Sequence, residues 1–382
     1  MSIRVANVLL EARMGGPQWR VLQVASRLKD TDIEQVVVIP RRGSENFQVH
    51  LRAAGVQTYL AGLHRPSQRP GELALSALFL IPEVFSLVRW LRRERIDVVH
   101  CNGVWQVHAL LAGKLARCRT LLHLNDTWTT SWMRTVFYAL APLADGFILA
   151  AERVRDAYFT GRGRKFLRKP VFNVPAPVDT ARFDPSDTAP ALDLKADGEL
   201  LIVTVGNLNP LKGLEHFIQM ADKVNKSIQI RVKFAIIGAE LETQREYAHK
   251  LRSQVDALGL SNVPFTGPRD DMPEVLKAAD IYVCSSIREA SPMAVWEAMS
   301  MALPVVATDV GDIPCFVRHG ESGMVVETGD WVALAEAVTG LIQDPEKRRA
   351  LGEEARRVAE TELSIESCVE RHAHAYQAIA GL

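Results

Sequence analysis

The sequence predicts an α/β protein built from two doubly wound parallel-sheet domains. Short β-branched runs alternate with helical patterns along the chain, which is the signature of parallel sheets covered on both faces. The alternation comes as two series separated by a proline-studded stretch. The length, 382 residues, exceeds what one typical core holds.

In the first series, strands are expected at residues 4–10, 35–39, 58–61, 98–101, 120–124 and 146–150. In the second they are expected at 200–205, 233–237, 263–266, 281–284, 304–308 and 323–326. Helical periodicity lies between most of them, for example over 21–28, 214–224, 247–258 and 332–342. The join carries Pro175, Pro177, Pro185 and Pro190 and little periodicity. The expected division is a first domain over 1–175, a linker over 176–199 and a second domain over 200–362. The segment 363–382 contains a helix over 364–379, capped behind Leu363 and Ser364, and is expected to pack back on the first domain. In open parallel sheets ligands bind beyond the carboxyl ends of the strands. Two such domains are expected to face a cleft, each holding one substrate.

Composition narrows the class. With 48% hydrophobic and 24% charged residues the chain is of the soluble globular kind. Five scattered cysteines without CxxC spacing argue against a disulfide framework or a zinc site and fit a reducing cytoplasm. The segment from Met1 to Leu10 reads as a first strand, not as a signal peptide. The longest apolar stretch, 73–91, is interrupted by Pro82, Glu83 and Arg89, so no membrane span is expected. Net charge is zero but uneven: 26 basic against 16 acidic residues over 1–190, and 19 against 29 over 191–382. That imbalance fits either a polyanionic surface partner for the basic half or attraction between the halves. The run Arg162-Gly163-Arg164-Lys165-Phe166-Leu167-Arg168-Lys169 is either a solvated loop or a contact for anionic lipid. No pattern points to nucleic acid.

Four stretches carry chemistry. Ser285 to Met299 follows a strand and ends in an apolar helix. Ser291 suits the N-cap and Pro292 the first turn, leaving the N–H groups of Met293 and Ala294 free for an anion. Glu289 and Glu297 bracket that position, and a phosphate cradle between two acids suits a ligand carrying phosphate and hydroxyls. Gly206 to Gly213 also leaves a strand. Gly206 permits a tight exit, and Lys212 offers a flexible cation to a diphosphate or, more plainly, to solvent. Gly15-Gly16 stands between the first strand and its helix, but lacks the dinucleotide spacing. His100 with Asn102, and His123 with Asn125 and Asp126, end two neighbouring first-domain strands. They are candidates to orient an acceptor, or else satisfied structural groups. No nucleophile elbow, zincin motif or Walker loop occurs, so hydrolase, protease and ATPase readings lack support.

Taken in order, these motifs resemble the retaining glycosyltransferases of family 4, whose fold is GT-B. Glu289 to Glu297 matches that family's E-x7-E, and Gly206 to Gly213 its G-x-L-x-x-x-K-G loop. The stretch Pro304 to Pro314 (PVVATDVGDIP) is near verbatim. Phe265 to Pro273, with Arg269, resembles the base-pocket segment. Asp97 to His100, Pro177 to Phe183 and Gly15-Gly16 match at the expected places. The resemblance implies that Lys212 neutralises a donor diphosphate and that the Met293 and Ala294 amides take phosphate oxygens. Glu297 would hold the ribose and Glu289 the donor sugar. It further implies retention, no cofactor and no metal, and a UDP- or GDP-type donor. Two departures stand out. Asn207 occupies a position that is commonly Arg, and Asn125 one that is often His, so neither supplies a charge there. The expectation is a cytoplasmic enzyme, at the inner face of a membrane, extending a glycan or lipid-linked acceptor in surface polysaccharide or lipopolysaccharide synthesis. The alternatives are a sugar-nucleotide epimerase of the same architecture or a lapsed nucleotide-sugar-binding protein.

Overall fold

The computed structural model describes residues 2–28, 31–64 and 70–381. The chain forms two compact units, Met1–Ala176 with Ile365–Leu382, and Pro177–Ser364.

The first unit holds a seven-stranded sheet: β1 (Ile3–Val8), β2 (Ile33–Pro40), β3 (Thr58–Ala61), β4 (Val98–Asn102), β5 (Arg119–Leu124), β6 (Gly146–Leu149) and β7 (Val171–Asn173). Their order is β3-β2-β1-β4-β5-β6-β7. All pairings are parallel. β7 was not among the expected strands. Its three residues are too few to show a period.

The second unit holds β8 (Leu200–Val205), β9 (Val232–Ile237), β10 (Phe265–Gly267), β11 (Ile281–Cys284), β12 (Val305–Thr308) and β13 (Met324–Val326). The order is β10-β9-β8-β11-β12-β13, again parallel. The strands are continuous apolar runs because both faces are covered. β10 starts later than expected, at Phe265, since Pro264 has no N–H for the ladder and contributes only its carbonyl, to Ile236.

Each sheet winds outward in both directions from a switch point, β1/β4 in one unit and β8/β11 in the other. Ligands of open parallel sheets bind beyond the carboxyl ends of the strands at such a point. In the second unit the loops after these two strands are the Lys212 loop and the Glu289 loop, 77 residues apart in sequence yet neighbours in the sheet.

The helix Ile365–Ala380 belongs to the first unit, where Ile365, Val369, Ala375, Tyr376 and Ile379 pack with Val5, Val24, Leu28, Leu121 and Ile148. Gly146 makes room for it: a Cβ there would lie 2.7 Å from Ile379 Cδ1. Each fully buried Ile or Leu contributes roughly 1.5–3 kcal/mol. In the second unit the helix Met293–Ser300 is anchored by buried Val295, Trp296, Ala298 and Met299. The helix Pro345–Glu362 presses on its far end through Gly352, where a Cβ would sit 2.1 Å from the Ala302 carbonyl. Gly352→Ala should therefore lower stability by roughly 1–3 kcal/mol through overpacking. Urea denaturation checks this, and an unchanged midpoint would contradict it.

Candidate active site

The carboxyl edge of the second sheet assembles from three loops. After β8, Asn209 Oδ1 accepts from Leu211 N–H at 2.9 Å and folds the chain into a short turn, Pro210–Lys212. Gly213 follows with φ +56°, and a Cβ there would lie 2.2 Å from the Ser285 carbonyl. Only glycine lets this loop lie against the one after β11. The two are then stitched: Ile287 and Arg288 N–H donate to Leu211 O at 2.8 and 3.2 Å, and Ser285 Oγ donates to Lys212 O at 3.1 Å. The third loop, after β12, supports the second. Thr308 Oγ1 donates to Ser286 O at 2.6 Å, and Asp312 N–H donates to Ala290 O at 2.9 Å. Gly311, φ +54°, approaches Ala290 so closely that a Cβ would fall 2.2 Å from its carbonyl.

The result is a fixed ion pair. Lys212 Nζ lies 2.6 Å from Glu289 Oε1, and Ser286 Oγ donates to the same oxygen at 2.9 Å. Burial alone would lower the Lys212 pKa, but the charge and hydrogen bond of Glu289 outweigh it and hold the value above its ordinary position. Lys212 is thus an assured cation that already has an anionic neighbour.

The helix that follows starts differently from the expectation. Pro292, not Ser291, occupies the cap position of Met293–Ser300, without a side-chain cap. Ser291 Oγ instead accepts the indole N–H of Trp296 at 3.1 Å. The first intrahelical bonds run from Val295 and Trp296 to Pro292 O. The Met293 and Ala294 N–H groups therefore precede the helical ladder, and the dipole adds positive potential there. Glu297 lies one turn in, half-buried. Burial pushes its carboxyl up to about 7, only partly opposed by Arg182.

Two donor-side candidates are engaged elsewhere. Arg269 is clasped by Asp271 (Nε 2.8 Å, Nη2 2.6 Å) and Asp193 (Nη1 2.6 Å), so it is not an unneutralised cation for a ligand. Asn207 is exposed, and its Oδ1 accepts from Ala239 N–H at 3.3 Å. Gly206 has Lys212 Cε 3.0 Å from where a Cβ would be, so its bareness gives the lysine stem its path.

In the first unit, Gly15 and Gly16 adjoin the helix Gly16–Leu28, whose inner face carries Arg20. Arg20 Nη2 donates to Asn125 Oδ1 at 3.0 Å and Asn102 Oδ1 at 3.4 Å. Asn102 in turn donates from Nδ2 to Asn7 Oδ1, while Gln106 Nε2 donates to its carbonyl at 2.8 Å. Asn125 and exposed Asp126 lie just past β5.

His100 and His123 do not present themselves at the edge; of the two alternatives left by the sequence, their burial matches that of satisfied structural groups. Both are fully buried under the helix Ile365–Ala380, whose arrival the first-domain sequence does not announce. His100 Nδ1 pairs with Tyr376 Oη at 2.7 Å, and its Nε2 with His123 Nδ1 at 3.0 Å. His372 completes the group, with ring nitrogens of all three within 4.8 Å. Three imidazoles can ligate a metal, but here their nitrogens largely bond one another, Tyr376 and the Cys368 carbonyl, with a guanidinium beside them. Burial holds the pKa of His100 and His123 well below the ordinary value and His372 at about 3, so all three are neutral.

Sequence reasoning missed Arg20, Ser286 and Thr308. Arg20 had a legible signal: it lies four residues before Val24 and eight before Leu28, on the helix's apolar face. Ser286 and Thr308 had none beyond lying at strand ends.

The fold is that of the GT-B glycosyltransferases. Two family models match successive parts of the chain, Glycosyltransferase Family 4 over residues 14–182 and Glycosyl transferases group 1 over residues 187–358. The chain belongs to this family. It is 27% identical over 361 residues to 2-deoxystreptamine N-acetyl-D-glucosaminyltransferase of Streptomyces fradiae, covering 88% of this chain and 84% of that one. It is 25% identical over 181 residues to N-acetyl-alpha-D-glucosaminyl L-malate synthase of Bacillus anthracis, covering 47% and 46%. The chain spans about half the length of most of the curated relatives it matches. Among solved structures, Anabaena Alr3699/HepE in complex with UDP superposes with a TM-score of 0.81 at 20% identity, over 99% of this chain and 100% of that one.

The raised Glu297 pKa gives a pH prediction. Sugar hydroxyls donate to a carboxylate better than to a carboxylic acid, and hydrogen bonds to charged groups contribute about 1.5–3 kcal/mol. A ligand whose ribose meets Glu297 would favour the ionised form and release a proton on binding near neutrality. Affinity for a nucleotide sugar should fall as pH drops below about 7. The diphosphate diester does not itself titrate there. Calorimetry from pH 5.5 to 8 on the wild type and Glu297→Gln checks this: the variant should bind more weakly and lose the slope. A slope retained in the variant would contradict the assignment.

Proposed function

We propose that this protein is a retaining, metal-independent glycosyltransferase that moves a sugar from a nucleotide-diphosphate donor to a glycan or lipid-linked acceptor. The observation that carries the reading is the shared edge of the second sheet. Lys212, an assured cation, and Glu289 stand on the two loops at one switch point, and the helix that follows the second loop adds the Met293 and Ala294 amides at its start and Glu297 one turn in. That set suits a ligand with a diphosphate between two groups of hydroxyls. The donor is a UDP- or GDP-type nucleotide sugar, and surface polysaccharide or lipopolysaccharide synthesis is the setting.

In this reading the breaking bond joins the anomeric carbon to a diphosphate oxygen. Negative charge grows on that oxygen while positive charge grows on the sugar. Lys212 and the Met293 and Ala294 amides stabilise the first, and being fixed beforehand they need no reorganisation. Two unit charges at 4 Å interact by about 4 kcal/mol at an effective dielectric of 20, and 1.4 kcal/mol is about tenfold in rate. Glu289 accepts from the sugar hydroxyls and bears the charge that suits an oxocarbenium-like state. Asn125 has no acid or base function, so the acceptor proton leaves by way of the departing diphosphate.

The membrane part of the reading has its best support on the helix Pro70–Arg93. That helix exposes Leu78, Ile81 and Phe85 along one face, followed by exposed Arg89, Arg92 and Arg93. Apolar groups ahead of a basic end suit an anionic bilayer surface. The run 162–169 contributes less: Phe166 is buried, and Lys169 Nζ donates to the carbonyls of Ala141, Pro142 and Ala144. Among the described residues no helix is long and apolar enough to cross a membrane. The proposed location is the cytoplasmic face.

Two measurements test these readings. A thermal-shift screen of nucleotide sugars, followed by product analysis, should give slow donor hydrolysis without acceptor. Lys212→Ala should reduce turnover by about 10²–10³-fold. Epimer formation from the donor alone, or wild-type turnover in Lys212→Ala, would overturn the assignment. In sedimentation with phosphatidylglycerol vesicles at low salt, Ile81→Glu with Phe85→Glu should lose binding that the wild type retains. Equal binding by both would remove the helix from the account.

A further inference from the structure

Arg20 is 4% exposed, yet among the described residues no carboxylate pairs with it. Its hydrogen-bonding partners are two neutral amides, both reached through Nη2. Nε and Nη1 make no hydrogen bond, and neither is sealed away from solvent. The titratable groups facing it come from the sheet (His100, His123) and from the C-terminal helix (Cys368, His372, Tyr376). None of these is an acid that is ionised near neutral pH. Three half-buried cations of the second unit are treated differently. Lys212 has Glu289, Arg269 has Asp193 and Asp271, and Arg356 has Asp184 and Glu360.

A buried ion without a partner costs several kcal/mol. Burial does lower the Arg20 pKa, to about 10, but the group stays charged at neutral pH. A buried guanidinium with two idle N–H-bearing nitrogens, held at the carboxyl end of β4 and β5 beside a switch point, has the charge and the spare donors to take an oxyanion. We propose that Arg20 binds a phosphate or carboxylate group of a substrate through Nε or Nη1, on the guanidinium that Asn102 and Asn125 hold by Nη2, and that the transfer reaction therefore takes an anionic acceptor or an anionic donor sugar. Anion binding at Arg20 stands independently of the proposed transfer reaction. Only the identity of the molecule that carries the anion rests on that reading.

The probe is inorganic phosphate, titrated into the whole protein with UDP present at saturation so that the Lys212 site is filled. Sodium chloride at matched ionic strength serves as control. The wild type should gain thermal stability with phosphate beyond the chloride response. Arg20→Gln should lose at least tenfold in phosphate affinity while binding UDP within about twofold of the wild type. Asn125→Asp tests the same point without removing the arginine. Its new carboxylate should occupy the guanidinium and weaken phosphate binding similarly. Phosphate affinity unchanged in both variants would overturn the proposal, as would a wild type that responds only as it does to chloride. Hydrolysis of UDP-glucuronate against UDP-glucose separates the carriers. A preference for the uronate that Arg20→Gln abolishes places the anion on the donor sugar. Equal rates, with phosphate binding intact, place it on the acceptor. Failure of UDP to bind the wild type would sink the transferase reading and leave the phosphate result standing.

Discussion

The contact between Lys212 and Glu289 organises the second unit. It joins two loops that are distant in sequence and adjacent only because β8 and β11 pair at the switch point. Much of the surrounding structure serves that adjacency. Gly213 and Gly311 allow backbones to approach where any Cβ would collide, and Thr308 and Asp312 hold the Glu289 loop from behind. Trp296 fixes the helix start from below, through its own N–H to Ser291. The pair is partly buried, so it is screened less than a surface ion pair would be. A diphosphate bound there would have to compete with Glu289 for one cation.

The two units handle charge in opposite ways. The second is acidic overall and pairs Lys212, Arg269 and Arg356 with carboxylates. The first is basic and keeps Arg20 unneutralised against three neutral imidazoles. Glu297 is the mirror case in the second unit, a carboxyl raised by burial that Arg182 only partly opposes. Groups of this kind raise the cost of folding. They are also the groups a polar ligand satisfies, so the physics that makes them costly to bury favours such a ligand.

Most of the fold was legible because parallel strands buried on both faces read as plain apolar runs, as Leu200–Val205 and Ile281–Cys284 do. The donor loops were legible because glycine, proline and charge occur where strands end. What escaped has physical reasons. β7 is three residues long and has no period. The burial of His100 and His123 depends on a helix some 270 residues later in the chain, and local sequence carries no trace of that. Ser291 was expected as a cap because its type suits one. The indole of Trp296 won its hydroxyl, a contact decided by packing and not by propensity. Arg269 looked available until Asp193, far from it in sequence, took its charge.

In the proposed reaction Lys212 is shared between Glu289 and the donor's diphosphate. UDP affinity of Glu289→Gln measures this most directly, since UDP lacks the sugar that Glu289 would otherwise touch. Removing the competing charge should tighten UDP binding severalfold while sugar transfer falls away. UDP binding that weakens in this variant would contradict the account.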